Sequence, residues 1–154
     1  MNGVVILTPP EMTLALMVGG LRQVTNLRDG RRDAHGARRD RGWQLHVEGA
    51  AGELAVAKAL NLYWSGRLGC LRASDVGALQ VRTTPCNGYR LVIHPEDPDD
   101  ARFIFVVGMV PCFRLAGWLY ASEGKRREWW DDPVGGRPAY FIPETALHAM
   151  DTLR

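Results

Sequence analysis

The sequence is short of charge of one sign. Nineteen Lys and Arg face 17 Asp and Glu, a formal net charge of +2, so any surface that meets a polyanion has to be a local patch. It is also short of cysteine. Cys70, Cys86 and Cys112 are odd in number and form no CxxC pair, which argues against a disulfide framework and a thiolate metal knuckle and predicts reduced thiols in a cytoplasmic setting. Long apolar runs are missing too. Met12 to Leu21 is too short, and too interrupted by Gly19-Gly20, to span a bilayer, and Met1-Asn2-Gly3 has no basic n-region; neither membrane insertion nor secretion is expected. There is no internal repeat and no low-complexity tract. What is present is a chain of 154 residues, 46% of them hydrophobic, enough for one core and one expected domain over 1–154.

Pro9-Pro10-Glu11 suits the opening turn of a helix. Leu14, Met17, Leu21, Val24 and Arg28 recur at helical spacing, predicting an amphipathic helix over about 10–28 packed on the domain through that stripe. Arg28 to Arg41 mixes six arginines with Asp29, Asp33, Asp40, Gly30 and Gly36 and reads as a mixed-charge connector. A second, alanine-rich helix is expected over 46–62, with Val47, Ala51, Leu54, Lys58 and Leu62 along one stripe. After Trp64-Ser65-Gly66 the pattern turns to short strands at 75–84, 89–94, 103–110 and 113–120, arranged as a meander. Pro85-Cys86-Asn87-Gly88 is the clearest hairpin signal between them, because Asn-Gly supplies the positive φ angles such a turn needs. A short helix at 122–130, a strand at 140–142 and a helical turn at 143–147 complete the expectation.

Glu53 is the first residue that invites chemistry. Its helical neighbours at three and four residues are Gly49, Ala50, Val56 and Ala57, so the carboxylate projects from a small, apolar face. Either the helix leaves it in solvent, or it needs a basic residue or a metal as partner. Asp75 opens the run Asp75-Val76-Gly77-Ala78-Leu79-Gln80-Val81-Arg82, in which the two-residue period puts Gln80 and Arg82 on one face and Leu79 and Val81 towards the core. A small acidic and basic site at a sheet edge, or an ordinary half-exposed strand, would both look like this. The four residues between Asp75 and Gln80 leave little room for a hairpin turn.

Together these residues resemble the PD-(D/E)XK nuclease superfamily, the restriction-endonuclease-like fold. Gly49-Ala50-Ala51-Gly52-Glu53 is similar to its helical Gly-x-x-x-Glu, Asp75 to its aspartate, and Gln80-Val81-Arg82 stands where the family has Glu-x-Lys. Gly117-Trp118-Leu119 and the run from Gly136 to Pro143 also look like small phage and prophage members, so the resemblance runs from about Glu48 to Leu147. It implies an α/β fold with a central mixed sheet of four to five strands flanked by helices, a core over 46–147, and an extra N-terminal helix with its connector over 10–41. It further implies a phage- or prophage-encoded, metal-dependent DNA phosphodiesterase. Asp75, with Glu53 and the Gln80 amide oxygen, would hold Mg2+ or Mn2+ against a scissile phosphate, and Arg82 would supply the family's cation, though with a pKa too high for a general base. Gln80 and Arg82 depart from the pattern. They keep open a second reading, a nuclease-derived nucleic-acid-binding or regulatory protein that cleaves nothing.

Other residues compete for attention. His46 and His94 titrate near neutrality but read as polar-rim residues. Glu96, Asp97, Asp99 and Asp100, around Pro95 and Pro98, read as a solvated turn rather than a metal cluster. Lys125-Arg126-Arg127 ahead of Trp129-Trp130 suits phosphate contact and base stacking, or the covering of a core edge. DNA is the expected partner, with no membrane, and a homodimer is open.

Overall fold

A computed structural model of the chain describes residues 3–30, 42–68 and 73–154. Most of the Arg28–Arg41 connector and Cys70 lie outside them. Two short, mostly exposed strands go beyond the sequence expectation: β1 (Val4–Ile6) and, later in the chain, β6 (Trp130–Asp131). Helix α1 (Pro9–Arg28) begins with prolines in its first turn, and the Glu11 carboxylate accepts from the Thr8 amide at 2.6 Å, filling a donor the helix cannot satisfy itself. Helix α2 (Gly42–Leu60) follows. Then come β2 (Leu79–Thr84), β3 (Leu91–Ile93), β4 (Arg102–Met109), β5 (Cys112–Tyr120), the one-turn α3 (Ala121–Gly124), β6 and β7 (Ala139–Ile142), with 3₁₀ turns at Arg127–Trp129, Glu144–Ala146 and Met150–Thr152.

The fold is α/β, with a mixed four-stranded sheet in the order β1-β5-β4-β2 and a separate antiparallel sheet in the order β3-β7-β6. Strand β4 carries Phe103-Ile104-Phe105-Val106-Val107, buried throughout, the continuous apolar run of a strand covered on both faces. Ile104 and Val106 join Leu79, Val81, Phe113 and Leu115 beneath the alanine face of α2. Phe103, Phe105 and Val107 face Leu91, Ile93 and Ile142 of the second sheet. Helices therefore cover one face of the central sheet and the smaller sheet covers the other, where helices on both sides were expected.

Two further expectations are corrected. Asn87-Gly88 does not close a hairpin, because β2 pairs in parallel with β4 and the turn instead carries the chain across to β3 in the other sheet. The α1 stripe of Leu14, Met17, Leu21 and Val24 does not pack on the domain. All four are about half exposed, and the helix docks on α2 through Ala15, Gly19 and Gln23, with Gly19 against the Val47 backbone. Periodicity identified the helix but not which of its faces has a neighbour.

Candidate functional site

Helix α2 lies on β2 at one close approach. Gly52 sits over Thr83, where a β-carbon would collide with the Thr83 hydroxyl and methyl group, so only glycine lets the helix come this near. The next residue, Glu53, is consequently buried, with 6% of its surface exposed. Its partner is basic, and it comes from α1. Arg22 donates from Nη1 to Oε1 at 2.6 Å and from Nη2 to Oε2 at 2.9 Å, and the Trp64 indole donates to Oε2 at 2.9 Å. Arg22 Nε also donates to the Arg67 carbonyl at 2.9 Å. Burial works against the Arg22 charge, but the hydrogen bonds and attraction of Glu53 outweigh it and raise the guanidinium pKa.

Asp75 stands beside this pair. The chain turns back immediately after it. Val76 and Leu79 exchange backbone hydrogen bonds of 3.2 and 2.9 Å around Gly77, whose φ is 58°, and glycine at the first central position is what a tight type II′ turn requires. The gap that looked too short for a turn thus holds one. It delivers Asp75 Oδ2 to the Val81 amide at 2.7 Å. Burial, and after it the nearby Glu53 carboxylate, push the Asp75 carboxyl up to about 6, against the opposing pull of the Val81 amide and of the Arg82 and Arg22 charges.

Gln80 and Arg82 share the face of β2 opposite the buried Leu79 and Val81. Gln80 Nε2 donates to the Ala73 carbonyl at 3.3 Å, which leaves the amide oxygen as an acceptor. The Arg82 guanidinium lies 4.8 Å over the Phe103 ring and 3.7 Å from Asp97 Oδ2, while its buried Nε has no hydrogen-bond partner among the described residues. Glu53, Asp75 and Arg82, together with Arg22, are close enough for each of the other three to act on the Asp75 charge.

Among the described residues no three His, Cys, Asp or Glu side chains form a group able to hold a metal. Both Glu53 oxygens are already engaged, Oε1 by Arg22 and Oε2 by Arg22 and Trp64. Magnesium commonly needs only one or two carboxylates beside water and substrate phosphate, and Asp75 with the Gln80 amide oxygen meets that lower requirement. Glu53 fits as a third ligand only if Arg22 lets go.

The chain matches no family model, no curated protein and no solved structure.

The other candidates fall elsewhere. Lys125 is turned inward, its ammonium donating to the Pro95 carbonyl at 3.0 Å, the Asp97 carbonyl at 2.5 Å and Asp99 Oδ1 at 2.6 Å. It clamps the acidic turn, and the expectation that it contacts phosphate gives way to this role. Arg126 is exposed, 5.0 Å over the Trp129 ring, and Arg127 is exposed. His46 Nε2 lies 3.0 Å from Asn26 Nδ2; His94 is half-buried, and burial lowers its pKa. Cys86 and Cys112 are free thiols, both exposed, and no described helix is long and apolar enough to cross a membrane.

Arg22 and Trp64 are the site residues the sequence reading missed. A signal existed for the first: on α1, Arg22 falls with Ala15, Gly19 and Asn26 rather than with the leucines. A charge on a small-residue face is poised to meet something close by.

Proposed function

We propose that the chain is a metal-dependent phosphodiesterase acting on DNA, built on a restriction-endonuclease-like core of the kind small phages and prophages encode, with Asp75, Glu53, Gln80 and Arg82 as its site. The observation that carries this reading is the Asp75 carboxyl, partly buried and acted on at once by the Glu53 carboxylate and by the Arg82 and Arg22 charges; Gln80 and Arg82 stand on the face of β2 turned away from α2 and Glu53. A carboxylate kept in surroundings that disfavour its charge is characteristic of working sites.

Asp75 and Gln80 would hold Mg2+ or Mn2+, the hard cations that oxygen donors suit. Bound there, the ion would polarise a phosphoryl oxygen and lower the pKa of an attacking water. Arg82 would contribute a permanent positive charge for the phosphate oxygens, with two donors in a fixed fork. Arg22 holds Glu53 in place through both carboxylate oxygens.

A second reading has its own support. Arg22 covers both Glu53 oxygens, which favours a protein that binds DNA at this site without cutting it. One experiment separates the two: single-stranded, duplex and branched DNA incubated with the protein in Mg2+ or Mn2+, beside Asp75→Asn and Asp75→Ala, with gel shifts on the same substrates. The phosphodiesterase reading expects cleavage by the native chain and none by either variant. Cleavage that survives both substitutions sinks it, and a shift without cleavage by the native chain hands the site to the binding reading.

A further inference from the structure

Helix α1 wears its apolar side outward. Leu14, Leu16, Met17, Leu21, Val24 and Leu27 are each between 48% and 61% exposed, whereas its docked side carries Ala15, Gly19, Arg22, Gln23 and Asn26. At 100° per residue the six exposed side chains occupy one continuous arc covering a little under half of the helix circumference. The inversion is unusual, since a helix of a lone domain turns its leucines to the core.

We infer that this face of α1 is a homodimer interface, covered by the same face of a second copy of the chain. From the fractional exposures the patch offers about 500–600 Å² per copy, so a symmetric pair would bury about 1,000–1,200 Å², the size at which specific interfaces begin. That area lies near the upper end of what a monomer leaves exposed. Composition selects the occupant. The one charge on this arc is Arg28, at its C-terminal end and 3.0 Å from Asp29; from Leu14 to Leu27 the face carries none, as in the core of homodimer interfaces, where charge is depleted. A two-fold contact demands a surface complementary to itself, and a ridge of leucine, methionine and valine whose one arginine is already paired with Asp29 meets that condition without needing a partner of opposite sign. A membrane-surface helix or a DNA-binding one would flank its apolar arc with cations. Helix α1 has two, Arg22 and Arg28, and these are engaged by Glu53 at 2.6 Å and Asp29 at 3.0 Å.

Sedimentation equilibrium on the full chain over a range of concentrations tests the inference, with Met17→Lys and Leu21→Lys as interface variants and Val134→Lys, at an exposed residue outside α1, as control. The native chain and the control are expected at twice the 17.1 kDa chain mass. Both α1 variants are expected at the single-chain mass with unchanged far-ultraviolet circular dichroism. A native chain that stays monomeric at every concentration overturns the inference, as does a dimer that persists in both variants. Sedimentation of the native monomer with anionic vesicles, lost in the Leu21→Lys variant, would assign the face to lipid and overturn it equally.

Discussion

Replacing Asp75 by Asn should make the protein more stable, and only above a particular pH. The native carboxyl titrates at about 6, against an ordinary 3.8, so the folded state holds the proton more tightly than the unfolded chain does. Native stability therefore falls as pH rises from about 4 to about 6 and is flat on either side. The gap corresponds to about 3 kcal/mol, a ceiling because the side chain keeps some contact with water. Asparagine has no proton to lose near these pH values, and its amide oxygen can still accept from Val81. Urea unfolding of the two proteins in metal-free buffer, at intervals from pH 4 to pH 8, reads the difference directly. The variant should match the native chain near pH 4 and exceed it by up to about 3 kcal/mol at pH 8. A stability difference that does not change with pH would refute the reasoning, and so would a variant less stable than the native chain at pH 8.

Arg22→Ala leaves a buried carboxylate without its counter-charge and should destabilise the fold by about 3–5 kcal/mol. In a denaturant double-mutant cycle with Glu53→Gln, the two losses should be far from additive. Gly52→Ala should cost about 1–3 kcal/mol, although alanine is the better helix former, because its methyl group meets Thr83; thermal unfolding measures the loss. Lys125→Met removes three hydrogen bonds from the 95–99 turn and should destabilise by about 1–3 kcal/mol while leaving any DNA gel shift unchanged.

Much of the fold is written locally. The alternation of Leu79-Gln80-Val81-Arg82 and the unbroken apolar run of β4 mark strands by their own residues, and the alanines of α2 mark a helix meant to lie close on something. What local pattern does not encode is which surface an element meets. The leucines of α1 and the Asn87-Gly88 turn predict the commonest partner for their type, and in each case a tertiary contact decides otherwise: Gly19 against the Val47 backbone, and the parallel pairing of β2 with β4. The site divides in the same way. Glu53, Asp75, Gln80 and Arg82 stand out through polar chemistry in apolar surroundings, and the need of Glu53 for a partner follows from its neighbours alone. That the partner is Arg22, 31 residues earlier in the chain, becomes visible only once α1 is docked on α2.

Among the described residues, strand β2 has β4 on one side and no strand on the other, so the strand bearing Gln80 and Arg82 ends the sheet. An open edge is where a foreign strand can add itself. On β2 the Val81 amide is occupied by the Asp75 carboxylate, and the residue proposed to serve the chemistry also stoppers the strand against self-association. Alanine at position 75 removes the stopper along with the charge, whereas asparagine keeps an acceptor there. The two substitutions should therefore differ in how readily the protein aggregates even if both abolish cleavage.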